Sequence, residues 1–471
     1  MKIIVSLITA LCMLLSGIYA FITGFGREPE PDLPVTEAPP VAASAGEKFI
    51  PPPMPAGPHA AESIVVSYNL SEVLKMPSTF RGCWGGQQSR IARQGDDLYV
   101  IYGIHSDAYG WNDWAGGENE FNLYRYSAAR NEWTYFYTLR SYEIPGLHAA
   151  DDGNVYAAYV HARGLGVLEY NPATDRITLR DSGIHFPQIN DRDHWSYMNT
   201  GISEGKKIWF IGASNTGNHG RPGAFTFYHF NTETKKFDTG AQPRHMTEFR
   251  HCYNYVLDNG DGLTVVGKRD IFWNVSEWDP RDDEFGAIFD EVNYWTYKDN
   301  ALSDIHRVVK ASQSTAITRP SIQLNHGGDA YIDREGNLHI MYHISGAETQ
   351  GRGWQEYAVY KDGVEIQKEF QFDGASYSVS FAEDTAGQLY LIGLSTNLDA
   401  IHLYKVDKVN GKHEMTLSKV IPIENINSDG HSFAGMSLTV PRSGSAPADF
   451  VDVIFPHANQ LGWNYFRLQL R

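Results

Sequence analysis

From Ser63 onward the chain alternates short apolar runs with turn sequences, and one run recurs in seven copies. LYVIYGIH begins at Leu98, VYAAYVHA at Val155, IWFIGASN at Ile208 and LTVVGKRD at Leu263. LHIMYHIS begins at Leu338, LYLIGLST at Leu389 and VDVIFPHA at Val451. A turn precedes each: QGDD, DDGN, SEGKK, NGDG, DREGN, DTAGQ and the longer RSGSAPAD. A second turn follows most: SAARNEW, NPATDRI, NTETKKF, DPRDDEF, KDGVEI and KVNGKHE. Each unit therefore reads strand, turn, strand, loop, strand, turn, strand. The fourth shows the local logic. RHCYNYVLDNGDGLTVVGKR places Asn259-Gly260-Asp261-Gly262 between two apolar runs, a tight-hairpin composition. With Leu257 opposite Leu263, His251 lies opposite Arg269. His251, Tyr253 and Tyr255 alternate along the first strand, so a phenol, an imidazole and a guanidinium are expected on one rim.

Four antiparallel strands repeated at this spacing are the mark of a β-propeller blade. The expected fold is all-β, a seven-bladed β-propeller over 63–471. One four-stranded sheet cannot bury both faces alone, and packing around an axis does so while leaving only short edges. The last unit ends at WNYFRLQLR with three strands, so SIVVSYNL, residues 63–70, is expected to supply the fourth and close the ring. The stretch 286–325, between the fourth and fifth copies, is longer than its counterparts and is expected to cap one face.

Composition agrees with many short strands: aromatics are 13%, with 27 Tyr and 11 Trp, and there are 44 Gly. A net charge of -17 argues against nucleic acid and anionic lipid as partners, and an anionic ligand then needs a local cationic pocket. The expected assembly is a monomer. Cys12, Cys83 and Cys252 carry no zinc spacing, and Cys83 and Cys252 read as unpaired core residues. Residues 3–25 are uncharged and long enough to span a bilayer, yet also resemble a signal peptide with a small-residue cut after Ala20. Segment 1–26 is thus a signal peptide or membrane anchor, and the Pro- and Ala-rich 27–62 an extended linker. This implies a secreted, periplasmic or cell-surface protein that meets a membrane only through its N-terminal segment.

In a propeller the first strand of each blade lines the central channel, and its start shares a mouth with the end of the second strand. First-strand starts are Gln88, Tyr197 with Asn199, His251 with Tyr253, His326, Tyr377 and His431. The second unit departs from this, with Ile144 there and His148 nearer the turn. Second-strand ends are His105, His161, Ser214 with Asn215, Arg269, His343, Ser395 and His457. Seven of the 18 His fall on this one face, where ordinary surface filling uses Lys and Glu. Trp111 and Trp114 in GWNDWAGG, and Trp354 in GRGWQEY, are placed to flank the mouth, where aromatics suit stacking on sugar rings.

Over the propeller, with Tyr253 on an inner strand, Arg269 ending the next and His326 starting the next blade, the chain resembles the secreted polysaccharide lyases that cut ulvan and related uronate glycans, and their BNR-repeat relatives. That resemblance implies an acidic polysaccharide or oligosaccharide as substrate and β-elimination as reaction. It points to Tyr253, Arg269, His251 and His326 as catalytic. Substrate contacts are then sought at His148, His161, Tyr197, Asn199, Asn215, His105, Trp114, His343, Trp354, Tyr377 and His431. The chemistry suits these types: a uronate carboxylate must be neutralised, by Arg269 or a protonated His, before a base can take the ring proton beside it. Tyr253, with a phenol pKa lowered beside Arg269, is a candidate base and acid; His251 and His326 are candidates to share the task. Two rivals stay open. A glycan-binding propeller without catalysis uses the same rim. A sialidase-like hydrolase has Arg90, Arg269, Arg307, Arg319 and Arg352 available, but lacks the Ser-x-Asp-x-Gly-x-Thr-Trp turns. Paired carboxylates for hydrolysis are sought among Asp107, Asp193 and Asp329. No fixed His spacing places a metal, and the cofactor is left open.

Overall fold

The seven recurring runs are the second strands of seven antiparallel sheets. The structure is a computed structural model. It describes residues 64–471 apart from 75–86, 105–118, 162–163, 185–197, 216–221, 239–243, 273–286, 311–320, 324–327, 346–353, 370–375, 396–399, 423–435 and 457–462. All described residues belong to one compact unit, Ala38–Arg471. The sheets of blades 1 to 6 run in chain order from the axis outward, and the seven form a seven-bladed β-propeller. The inner strands are Ile91–Gln94, Gly146–Ala149, Met198–Ser203, Arg250–Asp258, Asp329–Ile332, Ser376–Glu383 and Ser437–Leu438, in blades 1 to 7. In blade 5 a second piece, Ser321–Gln323, pairs with the far end of the same neighbour, Leu338–Ser345. Ile64–Asn69 pairs antiparallel with Trp463–Gln469.

Both faces of a blade are apolar, and burial between blades holds the ring together. Ile211 and Phe225 of blade 3 pack on Val256, Val265 and Trp295 of blade 4. Tyr255, Val266 and Tyr294 of blade 4 pack on Ile340, Tyr342 and Ala358 of blade 5. Ile454 and Tyr465 of blade 7 meet Ile91, Leu98 and Val100 of blade 1, so the last blade packs on the first.

The fourth blade departs from expectation. The stretch 286–325 is, where described, mainly blade structure: Ala287–Lys298 is the third strand of blade 4, with Ala301–Leu302 and His306–Lys310 paired outside it. The outer turn is Asp299-Asn300, both with φ above zero, and not DPRDDEF, which lies outside the described residues. The described part of the stretch is thus this long strand and its own hairpin, while 311–320 and 324–327 lie outside the described residues.

One blade reaches the axis by its turn. The hairpin loop of blade 7 forms a 3-10 turn, Pro441–Ser443, that packs against the inner strands of blades 1 to 4 at the end opposite the mouth. Gly444 is required there: its φ is 72°, and a Cβ would stand 1.8 Å from the Ala149 carbonyl oxygen. The Arg93 amide donates to Ser445 Oγ at 2.9 Å and its guanidinium to the Ala446 carbonyl at 2.6 Å. The buried Arg442 crosses to blade 5 and pairs with Asp329, lying 5.0 Å over the Tyr255 ring. Asp329 also accepts from the Phe381 and Ala330 amides, each at 2.9 Å. Removing one partner of such a pair leaves a buried charge unanswered. Arg442→Ala is expected to cost ~3–5 kcal/mol in urea unfolding, and adding Asp329→Asn to recover part of it; an unchanged midpoint for Arg442→Ala would show that the plug carries no stability.

Candidate functional site

The mouth end of blade 4 is shaped by a β-bulge. Near its turn the hairpin pairs Asp258 with Leu263 and Leu257 with Thr264, one residue away from the expected register. Between Cys252 and Tyr255 the register shifts, and beyond it His251 does face Arg269. The bulge restores the expected pair and reverses which faces the side chains take. Tyr253 sits at the bulge with φ 53°, in the left-handed region that non-glycine residues rarely adopt. Gly267 makes room for it: a Cβ there would lie 1.9 Å from Asn254 Oδ1.

The expected single rim is therefore two clusters. His251 lies on the blade 3 side, 4.5 Å from the Trp295 ring and 6.1 Å from Phe225. Its Nδ1–H donates to the Phe249 carbonyl at 2.9 Å, and Nε2 accepts from Asn293 Nδ2 at 3.0 Å. Burial, the Phe249 carbonyl opposing and Arg269 adding, pulls its pKa down to about 3, so the ring is neutral with both nitrogens engaged. Arg269 is a buried ion-pair member. Nε donates to Asp290 Oδ1 at 2.8 Å, Nη2 binds the other Asp290 oxygen, and Glu291 lies 3.2 Å away. Glu291 is also approached by Arg307 and Lys310, each at 3.4 Å. The phenol has a different cation. The Lys268 ammonium, fully buried, lies 4.5 Å from the Tyr253 ring centre and 3.9 Å from that of Phe289. Lys268 was not singled out in the sequence; its place in strand alternation beside Arg269 was the available signal.

Further along the channel, polar groups of non-adjacent blades meet. Asn199 Oδ1 accepts from Gln87 Nε2 at 2.9 Å and from the Asn254 amide at 3.0 Å. Gln88 lies along the blade 3 inner strand, donating to the Met198 carbonyl at 2.9 Å and accepting from the Thr200 amide at 3.1 Å and hydroxyl at 2.8 Å. His148 Nε2 then donates to Thr200 Oγ1 at 3.0 Å. Burial, only partly opposed by the Arg442 backbone, lowers the His148 pKa to about 4. Thus Gln88, His148 and Asn199 form an internal network rather than an open rim.

His161 ends its strand half-buried, Nε2 lying 3.5 Å from Asp181. His343 is half-buried at the end of Leu338–Ser345, its pKa lowered by burial. The backbones of Asn215, Trp354 and Tyr377 lie in strands of blades 3, 5 and 6, with side chains outside the described set. His105, Trp111, Trp114, Tyr197, His326, His431 and His457 lie outside the described residues, as do Arg319, Arg352, Asp107 and Asp193. Asp329, sought as a mouth carboxylate, is instead held by Arg442.

No family model and no curated protein matches this chain. Solved structures do. It is similar to polysaccharide lyase Uly1 at 11% identity, over 82% of this chain and 90% of that one, with a TM-score of 0.48. It is similar to an oligogalacturonate lyase in complex with manganese at 11% identity, over 86% and 96%, with a TM-score of 0.46. Similarity to the oligogalacturonate lyase of Vibrio parahaemolyticus is 9% identity, over 84% and 92%, with a TM-score of 0.44.

The neutral buried histidines set an acid response. An unfolded His148 takes a proton near pH 6.5, whereas the folded one refuses it down to about 4. Stability from this group is thus complete above 6.5 and is lost as pH falls from there to about 4. The share is ~3 kcal/mol per such histidine by pH 4. Urea midpoints at pH 7 and pH 4.5 are expected to fall for the native protein and less for His148→Gln, which keeps a donor for Thr200; equal falls would place the acid sensitivity elsewhere.

Proposed function

We propose that the mouth of this propeller binds an acidic, uronate-containing glycan and cleaves it by β-elimination. The observation that carries this is Tyr253: a non-glycine residue held at φ 53° in a bulge at the channel mouth, with the Lys268 ammonium 4.5 Å from its ring. A backbone held off its preferred basin is kept by a demand beyond packing, and such residues cluster at active sites. The ammonium lies over the face of the phenol ring, a cation–π contact that holds the buried ring in place. The Tyr253 phenolate takes the C5 proton of the uronate, the electron pair forms the C4–C5 double bond, and the C4–O bond breaks. The phenol then protonates the leaving oxygen, so the proton moves from C5 to O4. Arg269, oriented by Asp290, and the Arg307 and Lys310 charges around Glu291 provide the positive potential an anionic glycan needs on a protein of net charge -17. His251 is a positioning residue: its two ring hydrogen bonds tie Phe249 to Asn293 behind the pair. His326, Tyr197, His105, Trp114, His431, Trp354, Tyr377, Asn215, His161 and His343 are proposed to complete the glycan contacts around the same mouth.

A glycan-binding propeller without catalysis is the second reading. The Arg269 geometry favours it, because its charge is already met by Asp290 and Glu291 and is poorly placed to neutralise a substrate carboxylate alone. Export with tethering, and N-terminal closure of blade 7, belong to the same proposal. The uncharged 3–25 and the Pro-rich 27–62 support the first. The pairing of Ile64–Asn69 with Trp463–Gln469 supports the second.

The test is incubation with a panel of uronate polysaccharides, read by ultraviolet absorbance of the unsaturated product. Tyr253→Phe keeps the ring over Lys268 and is expected to lose ~10²–10⁴-fold in rate with glycan retention unchanged. Lys268→Met is expected to lower the rate with glycan retention unchanged, since the Tyr253 ring loses the cation over its face. Retention of glycan with no absorbance change on any member selects the binding reading. Full activity in Tyr253→Phe removes Tyr253 from the chemistry.

A further inference from the structure

The turn between the first and second strands of several blades carries an aspartate whose side chain caps the turn amides. In blade 6, Asp384 Oδ1 accepts from the Ala386 amide at 2.8 Å and the Gln388 amide at 2.9 Å. In blade 5, Asp333 Oδ1 accepts from Glu335 at 2.9 Å and Asn337 at 2.8 Å. In blade 2, Asp152 Oδ1 accepts from Asn154 at 3.0 Å. A fixed cation from elsewhere in the ring meets two of these. Lys235, at the outer turn of blade 3, lies 2.6 Å from Asp152, and Arg471, after blade 7, lies 2.9 Å from Asp384.

At Asp333 the corresponding outer turn of the next blade presents His413 instead. His413 is only 6% exposed and its Nε2 has no hydrogen-bond partner. It is held firmly: Gln367 of blade 5 accepts from the His413 amide at 2.7 Å and donates to its carbonyl at 2.9 Å. Its ring stands edge-on to His339, centroids 4.8 Å apart. His339 is fully buried, Nε2 lying 3.0 Å from Asp333 Oδ2 and Nδ1 2.7 Å from the Tyr357 hydroxyl. One donor atom from each of Asp333, His339 and His413 lies within 4.8 Å of the others.

We propose that Asp333, His339 and His413 bind a divalent first-row transition metal, zinc above all, that ties blade 5 to blade 6. Two imidazoles and one carboxylate suit such a borderline ion rather than calcium or magnesium, whose ligands are oxygens. Without metal, His339 Nε2–H donates to Asp333 and Nδ1 accepts from the Tyr357 hydroxyl; with metal, the ring proton sits on Nδ1, where the Tyr357 oxygen accepts it, and Nε2 is free to be a ligand. The metal takes the place of the Nε2 proton between His339 and Asp333, within reach of the His413 ring. Water completes the coordination from the side of Asp333, the least buried of the three. The ion does for Asp333 what Lys235 and Arg471 do for Asp152 and Asp384. The site lies at the turn face, away from the glycan mouth, and does not rest on the elimination reading.

The experiment uses the full chain in detergent, stripped with chelator and then titrated calorimetrically with zinc, and separately with cobalt for its visible bands. The expected result is one equivalent that is lost in both His413→Ala and His413→Gln, with binding ~10-fold weaker in Tyr357→Phe. Metal is expected to raise the thermal midpoint of the native chain and leave that of both His413 variants unchanged. A second equivalent that survives in the variants belongs to other histidines and leaves the assignment standing. No binding of either metal, or one equivalent retained in both folded His413 variants, overturns it and makes His339–Asp333 a plain hydrogen bond.

Discussion

Seven inner strands converge on one axis, and the buried polar groups they carry find most of their partners there. The rest of the molecule is arranged around that constraint. At one end the Pro441–Ser443 turn sends Arg442 across the channel to Asp329. In the middle Gln88 lines the edge of the blade 3 strand, and Thr200 links it to His148. Towards the mouth Asn199 receives Gln87 and the Asn254 amide. Blades that are not neighbours in sequence are thus joined through their polar groups, while apolar surface joins adjacent ones. The apolar contacts stabilise the ring, and the polar ones specify how its members meet.

The bulge at Tyr253 is where the proposed chemistry is placed. It moves the phenol away from the His251 and Arg269 face and brings it under Lys268. Two electrostatic environments then lie one strand-width apart. On one side a neutral imidazole and a guanidinium answered by carboxylates are settled and structural in character. On the other a phenol has a buried ammonium for its neighbour. That asymmetry is why Tyr253 rather than His251 carries the proposed proton transfer.

The turn face follows a simpler rule, in which a capping aspartate is met by charge from elsewhere in the ring. Lys235 and Arg471 follow it, and the His339–His413 pair departs from it. Departures of this kind are visible only when equivalent positions of a repeat are compared, since each alone is an ordinary turn with an ordinary hydrogen bond.

The seven-fold repeat was legible from apolar runs and turn residues alone, because strand period and turn chemistry are local properties. So was the opposition of His251 and Arg269, although by a register one residue off at the turn that the bulge then corrected. The length of blade 4 was misread because DPRDDEF has a turn-like composition, while the outer turn used Asp299-Asn300. What no local pattern contains is which face a side chain takes after a bulge, or which distant residue answers it. Lys268 against Tyr253, Asp290 against Arg269 and Arg442 against Asp329 were decided by the tertiary structure. Buried charges select their partners from whatever the closed ring brings within a few ångströms, and that depends on the whole chain at once.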